Sequence, residues 1–224
     1  MEAGGTVLQV GDGRGFIIAT KRARYVVTGA HCVEPLPPAQ PARDISDAIY
    51  RNFIGPLGGE RHVWAECVFI DLIADIAVFG EPDDCEHALA YVELTEQATP
   101  FPIGKLRFSR QRLPPREAVM RIDGERRTFV LPSLQGPREA SSDARMLSLD
   151  GKWFSCRVKS RGRSLWIQKA AQPIVGGMSG SPIILPDGGA VGMVCVSAEG
   201  RRDGGPNPML AANLPAWLLE EAAT

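Results

Sequence analysis

The sequence lacks the features of a membrane protein, a nucleic-acid binder or a disordered chain. Its longest apolar stretch, residues 68–79, is interrupted by Asp71 and Asp75, and no segment approaches the ~20 apolar residues of a membrane span. The 25 Lys and Arg nearly balance the 26 Asp and Glu, which argues against the strongly basic surface of a nucleic-acid binder. Because 44% of the residues are apolar and 23% are charged, we expect a globular protein without nucleic-acid or membrane partners.

Cysteine is scarce as well. The five cysteines are an odd number, and no two have the Cys-x-x-Cys spacing of a structural zinc site. The chain opens without the basic start and apolar core of a secretory signal. We therefore expect reduced thiols and a cytoplasmic location. The cluster at residues 83–87 holds only two soft metal ligands, Cys85 and His87, so neither a metal nor a cofactor is predicted.

Short segments rich in β-branched and aromatic residues recur along the chain, separated by Gly, Pro and Asp. Three Asp-Gly pairs, beginning at Asp123, Asp150 and Asp187, lie between such segments and predict hairpin turns. Many short strands at this spacing predict a β-sandwich or barrel rather than alternating βα units. The predicted strands are residues 6–10, 15–20, 25–28, 63–70, 76–79, 118–122, 127–131, 153–158, 165–169, 182–185 and 190–196.

Only the end of the chain has a clear helical pattern. Asn213 is placed to cap this helix, Pro215 suits its first turn, and Trp217 begins an apolar face. Two stretches rich in Pro and Arg, residues 34–61 and 107–116, are predicted to be surface loops.

One serine, Ser179, lies among three glycines in the segment Val-Gly-Gly-Met-Ser-Gly-Ser-Pro, which leads into an apolar strand. Glycine permits backbone conformations closed to other residues, so amide groups can be directed inward around the serine. Inward N–H groups of Gly177 and Ser179 would form the oxyanion hole that acyl transfer requires. For this motif alone, a Gly/Ser turn between strands is the alternative.

A histidine and an aspartate complete a set suited to nucleophilic catalysis. His31 follows a β-pattern, and an imidazole can take and return a proton near pH 7. Asp75 lies within an apolar strand pattern, where a carboxylate is costly to bury unless it is paired. A hydrogen bond from His31 would offset that cost and fix the imidazole tautomer. Asp71 is the alternative acid, and His62 and His87 are expected to be structural.

In this order and in these contexts, the three residues resemble the catalytic segments of the trypsin/chymotrypsin-like serine proteases. The matching segments are Val-Val-Thr-Gly-Ala-His-Cys around His31, Asp-Ile-Ala-Val from Asp75, and Gly-Met-Ser-Gly-Ser-Pro around Ser179. Gly-Phe-Ile-Ile from Gly15 resembles a strand of the bacterial members. Three separate motifs in the family's order are hard to obtain by chance.

The resemblance implies an all-β fold of two six-stranded antiparallel β-barrels packed against each other, with a C-terminal helix. Residues 1–95 would form the N-terminal barrel with His31 and Asp75. Residues 96–224 would form the C-terminal barrel with Ser179 and the closing helix.

The resemblance also implies a role for each site residue. Ser179 would be the nucleophile, His31 the general base and then acid, and Asp75 the residue that orients the imidazole. The backbone N–H groups of Gly177 and Ser179 would form the oxyanion hole. Residues 194–198 would pair with an extended substrate backbone.

Three departures from the family pattern bear on regulation and specificity. Cys32 has no cysteine in the preceding strand to bridge it, which fits a cytoplasmic enzyme. Met178 replaces the aspartate that pairs with a newly cut N-terminus in zymogens, so control by a partner or a fused sensor or effector domain is expected. Pro173 stands where trypsin has the aspartate that selects Lys and Arg. With Val196 and Ser197 as the opposite wall, we expect a small or medium apolar P1 residue.

The sequence therefore predicts a bacterial serine endopeptidase that cleaves a protein or peptide substrate through an acyl-enzyme intermediate. One alternative is a protease-like peptide-binding or scaffold module whose triad is silent. Another is an esterase or acyltransferase that uses the same triad. An unusually reactive Ser179 distinguishes an enzyme from a scaffold.

Overall fold

The computed structural model describes residues 5–35, 48–83, 85–112, 116–122, 124–131, 135–161, 164–195 and 211–223. The helices are a 3-10 turn (Ala30–Cys32), α1 (Cys85–Gln97) and α2 (Ala216–Ala223). The strands are β1 (Val7–Val10), β2 (Gly13–Ala19), β3 (Arg24–Thr28), β4 (Ile49–Pro56), β5 (Val63–Asp71), β6 (Ile76–Gly80), β7 (Ser109–Arg112), β8 (Arg116–Ile122), β9 (Glu125–Leu131), β10 (Gln135–Leu147), β11 (Trp153–Arg161), β12 (Ser164–Gln168), β13 (Pro182–Ile184), β14 (Ala190–Val194) and β15 (Ala211–Asn213).

The first six strands form a closed antiparallel barrel in the order β1-β2-β3-β6-β5-β4. Apolar side chains such as Ile17, Val26 and Phe79 fill its interior and are fully buried, as the closed geometry of a small barrel requires. Strands β3 and β6 are neighbours, and Thr28 at the end of β3 pairs with Ala77 at the start of β6. This register brings the chain just after β3 close to the chain just before β6.

Six strands of the second half form another closed barrel, because β10 pairs with both β11 and β13. The remaining neighbours run β11-β12-β15-β14-β13, and β7 adds to the outer edge of β10. Val158, Leu165 and Ile183 lie in its buried core. Two closed six-stranded antiparallel barrels and a short C-terminal helix confirm the fold predicted from the sequence. The division into units at residue 95 stays a prediction.

A shared apolar core joins the two barrels. Phe16 of the first barrel packs in the same buried cluster as Leu147 and Met193 of the second. Helix α2 extends this contact, because the Trp217 ring meets the Tyr25 ring edge-on, with the centroids 5.3 Å apart. The barrels are thereby held in one arrangement.

Three positive-φ glycines lie at the predicted hairpin turns. Gly124, Gly151 and Gly188 have φ angles of +81°, +77° and +89°. They lie between the antiparallel pairs β8–β9, β10–β11 and β13–β14, which confirms the last two Asp-Gly turns. Asp123, the first residue of the remaining pair, lies outside the described residues.

Helix α1 is absent from the sequence-based prediction because its buried side lacks a broad apolar stripe. It is anchored instead by Tyr91, whose hydroxyl shares its one proton between the carbonyl oxygens of Arg24 (2.9 Å) and Phe79 (3.0 Å). The predicted cap of the last helix is wrong, since Asn213 ends β15 and α2 begins at Ala216. Within the described residues, no helix is long and apolar enough to cross a lipid bilayer.

The two predicted loops are wrong in part. Strand β4 lies inside residues 34–61, and β7 and the first residue of β8 lie inside residues 107–116. The long strand β10 is also missing from the prediction, because its polar segment Arg-Glu-Ala-Ser-Ser-Asp-Ala-Arg shows little apolar alternation. In each case the pairing with a distant strand outweighs a weak local pattern.

Candidate active site

His31 and Asp75 form a close hydrogen-bonded pair at the edge of the first barrel. His31 lies in the 3-10 turn after β3, and its Nδ1 is 2.9 Å and 2.8 Å from the two carboxylate oxygens of Asp75. The His31 backbone N–H donates to the same carboxylate at 3.0 Å. A carboxylate only accepts, so Nδ1 carries the proton and Nε2 is left as the acceptor of the neutral ring.

Asp75 is held in an unusual backbone conformation. Its φ is +55°, in the left-handed region that non-glycine residues seldom occupy, and such positions cluster at functional sites. The prediction that Asp75 lies within a strand is wrong, because it ends a turn between β5 and β6. Asp71, the alternative acid, accepts hydrogen bonds from the backbone N–H groups of Ile73 and Ala74, both at 2.9 Å. Asp71 therefore stabilises the turn, and Asp75 faces the histidine.

The carboxylate changes the charge state of the imidazole. The hydrogen bond to Asp75, with a smaller contribution from Cys32, raises the pKa of His31 to about 10. His31 therefore holds a second ring proton up to a higher pH than an ordinary imidazole, and the neutral ring whose Nε2 can accept a proton becomes more populated as the pH rises.

Ser179 lies on a tight turn that the first barrel supports. Its carbonyl oxygen accepts a hydrogen bond of 2.7 Å from the Arg14 backbone N–H. The next residue, Gly180, has a φ of +79°, and a Cβ there would overlap the Arg14 carbonyl oxygen. Only glycine fits this position, so the Ser-Gly pair is fixed by close contact between the barrels.

The backbone around Ser179 offers two amide groups. Gly177 has a φ of +83°, and Met178 between the two is buried in the core of the second barrel. Among the described residues, no acceptor is hydrogen-bonded to the N–H of Gly177 or of Ser179. Two such N–H groups are available to bind a developing oxyanion.

The serine–histidine hydrogen bond of a catalytic triad is absent from the described residues. Within the described residues no hydrogen bond joins Ser179 Oγ to His31, and His31 Nε2 lies 3.5 Å from Cys32 Sγ. Cys32 is a free, buried thiol. A Cβ on Gly13 would overlap its Sγ, so the position facing Cys32 is occupied by a residue that cannot form a disulfide.

Of the three predicted specificity residues, only one lies within the described residues. Pro173 is exposed in the loop before Ser179, whereas Val196 and Ser197 lie outside the described residues. The structure adds Leu72 and Ile73, which are 60% and 100% exposed on the turn that ends at Asp75. The sequence does not indicate their exposure, because Leu72 and Ile73 lie within a long apolar run that resembles a buried strand.

Cys195, at the end of β14, was also missed. It is buried and forms no disulfide within the described residues, and burial together with the nearby Asp75 carboxylate raises its pKa to about 12. It is therefore a neutral neighbour of the Asp75 carboxylate. Within the described residues, no group of three or more His, Cys, Asp or Glu side chains is arranged to hold a metal ion.

Comparison with known proteins assigns the family. The model of the trypsin-like peptidase domain matches residues 13–193, which include His31, Asp75 and Ser179. The chain belongs to this family. The match extends from β2 of the first barrel into β14 of the second, so it includes strands of both barrels and leaves out β1 and β15.

Solved structures also resemble this trypsin-like peptidase domain. One is the apo protease domain of MamO from Magnetospirillum magneticum, which is 16% identical with a TM-score of 0.39. That match covers 97% of this chain and 95% of the MamO chain. No curated protein sequence matches the chain.

Proposed function

We propose that this trypsin-like peptidase domain is a serine endopeptidase that cleaves a protein substrate. The observation that carries the proposal is the Asp75–His31 pair, in which the carboxylate binds both Nδ1 and the backbone N–H of the histidine. Such a pair fixes the tautomer in which Nε2 accepts a proton from a nucleophile. The free N–H groups of Gly177 and Ser179 support the same chemistry.

The proposed reaction has two acyl-transfer steps. Ser179 Oγ attacks the scissile carbonyl carbon, its proton passes to His31 Nε2, and the carbonyl oxygen becomes an oxyanion bound by the two backbone N–H groups. Collapse breaks the C–N bond, and His31 returns the proton to the leaving amine. Water then attacks the acyl-enzyme with His31 again as base, which releases the acid and restores Ser179. Nε2 must exchange its contact with Cys32 Sγ for one with Ser179 Oγ.

The surroundings of the site favour a peptide substrate. Leu72 and Ile73 offer exposed apolar surface beside Asp75, where side chains of a bound peptide would lie. Pairing of the substrate with residues 194–198 and a small or medium apolar P1 residue remain parts of the proposal. A cytoplasmic location is also part of the proposal. Regulation by a partner or a fused domain is part of it as well, because Met178 is buried and apolar and cannot form an activating ion pair.

The proposal is tested by incubating the protein with denatured protein substrates and identifying new termini by mass spectrometry. We expect internal cleavages that disappear in Ser179→Ala. Cleavage that persists in that variant would assign the hydrolysis to another group or to a contaminant.

Cys32 is the competing nucleophile, because its Sγ lies 3.5 Å from His31 Nε2. We expect Cys32→Ala to keep its cleavage rate within about threefold of wild type, since buried structural cysteines are inert. Iodoacetamide should likewise leave the rate unchanged. Loss of cleavage in Cys32→Ala, with the fold intact by circular dichroism, would make the thiol the nucleophile.

The reaction should depend on pH through His31. Only neutral His31 accepts the Ser179 proton, and the pKa of His31 is raised to about 10. The rate of fluorophosphonate labelling should therefore rise with pH, with a midpoint well above the ordinary imidazole value of about 6.5. A midpoint near that ordinary value would show that Asp75 does not stabilise the imidazolium.

One observation favours the alternative of a peptide-binding module with a silent triad. In the described residues Ser179 Oγ has no hydrogen bond to His31, whose Nε2 contacts Cys32. A module of this kind would bind peptides and leave them intact, and its Ser179 would not react with a fluorophosphonate.

A further inference from the structure

A single charged side chain is buried behind Ser179. Arg14, on β2 of the first barrel, is 4% exposed, and no ion pair within the described residues involves it. Burial lowers the pKa of its guanidinium. A buried charge without a carboxylate partner is costly, so its retention calls for a role beyond general packing.

The guanidinium of Arg14 binds the second barrel through one nitrogen. The two N–H groups of Nη1 are shared among three acceptors, the carbonyl oxygens of Leu147 (3.1 Å) and Ser148 (3.0 Å) and Ser181 Oγ (3.4 Å). The Arg14 backbone N–H meanwhile donates to the Ser179 carbonyl oxygen at 2.7 Å. Arg14 therefore connects the peptide of Ser179 with the turn that follows β10.

That turn is closed by its own hydrogen bonds and lies against the proposed oxyanion hole. Ser148 Oγ shares its one proton between Asp150 and the Lys152 carbonyl oxygen (2.7 Å) and accepts from the Lys152 backbone N–H at 3.1 Å, which closes the turn. Leu149 at its tip has Cδ2 3.3 Å from the place that a Cβ on Gly177 would take. Leu149 is 54% exposed, so its position depends on the turn and not on burial of its own side chain.

We propose that Arg14 is a positioning residue for the oxyanion hole. Its guanidinium fixes residues 147–149, so that Leu149 lies behind Gly177 and keeps the Gly177 N–H directed into the site. The inference rests on the proposed function for its effect on rate. The geometric part of the inference, that Arg14 controls the backbone of residues 176–180, does not depend on the proposed function.

The test compares three variants with wild type. Arg14→Met removes the three hydrogen bonds. Arg14→Lys keeps a cation with N–H donors that can bind the same backbone carbonyl oxygens. The matched control is Arg24→Met, because Arg24 also donates from Nη1 to two backbone carbonyls, those of Thr95 and Ala98, near the end of α1.

Labelling by a fluorophosphonate measures the effect on chemistry. We expect the second-order rate constant of Arg14→Met to fall about 10²-fold, the scale of losing one oxyanion donor. Arg14→Lys should recover at least about a tenth of the wild-type rate, and Arg24→Met should match wild type within about threefold. Rates are compared at a temperature where thermal unfolding shows every variant to be folded. Equal rates in the two methionine variants would overturn the proposal.

Amide hydrogen exchange over residues 176–180 decides the geometric part independently of activity. We expect exchange at least about tenfold faster in Arg14→Met than in wild type, Arg14→Lys or Arg24→Met. Unchanged exchange in Arg14→Met would overturn the inference even if wild type proved unreactive. Failure of the proposed function appears differently, as wild-type protein that no fluorophosphonate labels.

Discussion

Substitution of Ser179 by alanine is expected to lower kcat for peptide hydrolysis about 10⁶-fold. In the proposed mechanism, the change removes the atom that forms the acyl-enzyme bond, while substrate binding and the N–H groups proposed for the oxyanion hole persist. Ser179 is buried, and within the described residues its Oγ makes no hydrogen bond, so the fold should tolerate the loss. The measurement is kcat on a peptide identified from the cleavage products.

A matched serine controls for the substitution itself. Ser141 on β10 is exposed, and Ser141→Ala should leave both kcat and the thermal unfolding temperature unchanged. A loss below about 10²-fold in Ser179→Ala would assign the chemistry to another group, because a triad nucleophile accounts for far more.

Substitution of Asp75 by asparagine is expected to lower kcat about 10⁴-fold. The asparagine amide can donate to Nδ1, which stabilises the tautomer whose Nε2 carries the proton and cannot accept one from Ser179. The substitution also removes the charge that raises the pKa of His31. The midpoint of the rate–pH profile should therefore move down toward the ordinary imidazole value as the maximal rate falls.

Asp71→Asn is the control for that variant, since Asp71 ends β5 just before the same turn and, within the described residues, its carboxylate accepts hydrogen bonds only from backbone N–H groups. We expect its kcat to remain within about tenfold of wild type, with an unchanged pH midpoint. A larger loss in Asp71→Asn than in Asp75→Asn would reverse the assignment of the acid.

The features that could be predicted from the sequence are those written in short local patterns. The segments around His31 and Ser179 combine small residues with an adjoining apolar strand, and the Asp-Gly pairs require turns whatever surrounds them. The sequence favours Asp75 but leaves Asp71 as an alternative, because both interrupt one apolar run. The register of β3 with β6 separates them, and that register is a property of the closed barrel.

The features that could not be predicted from the sequence depend on contacts between distant segments. The acceptors of the Arg14 guanidinium lie 133, 134 and 167 residues along the chain, so nothing in its glycine-rich neighbourhood indicates burial. Helix α1 depends in the same way on hydrogen bonds from Tyr91 to β3 and β6. The contact of Cys32 with Nε2 depends on the direction of two side chains, which residue order does not determine.

The most direct test of the central claim, that Ser179 is an activated nucleophile, is fluorophosphonate labelling followed by intact-mass measurement. Wild type and Ser179→Ala are treated side by side, with Cys32→Ala as a third sample. The account predicts one added phosphonyl group on wild type and Cys32→Ala and none on Ser179→Ala. Folded wild-type protein that stays unmodified, or a Ser179→Ala protein that is modified equally, would contradict it.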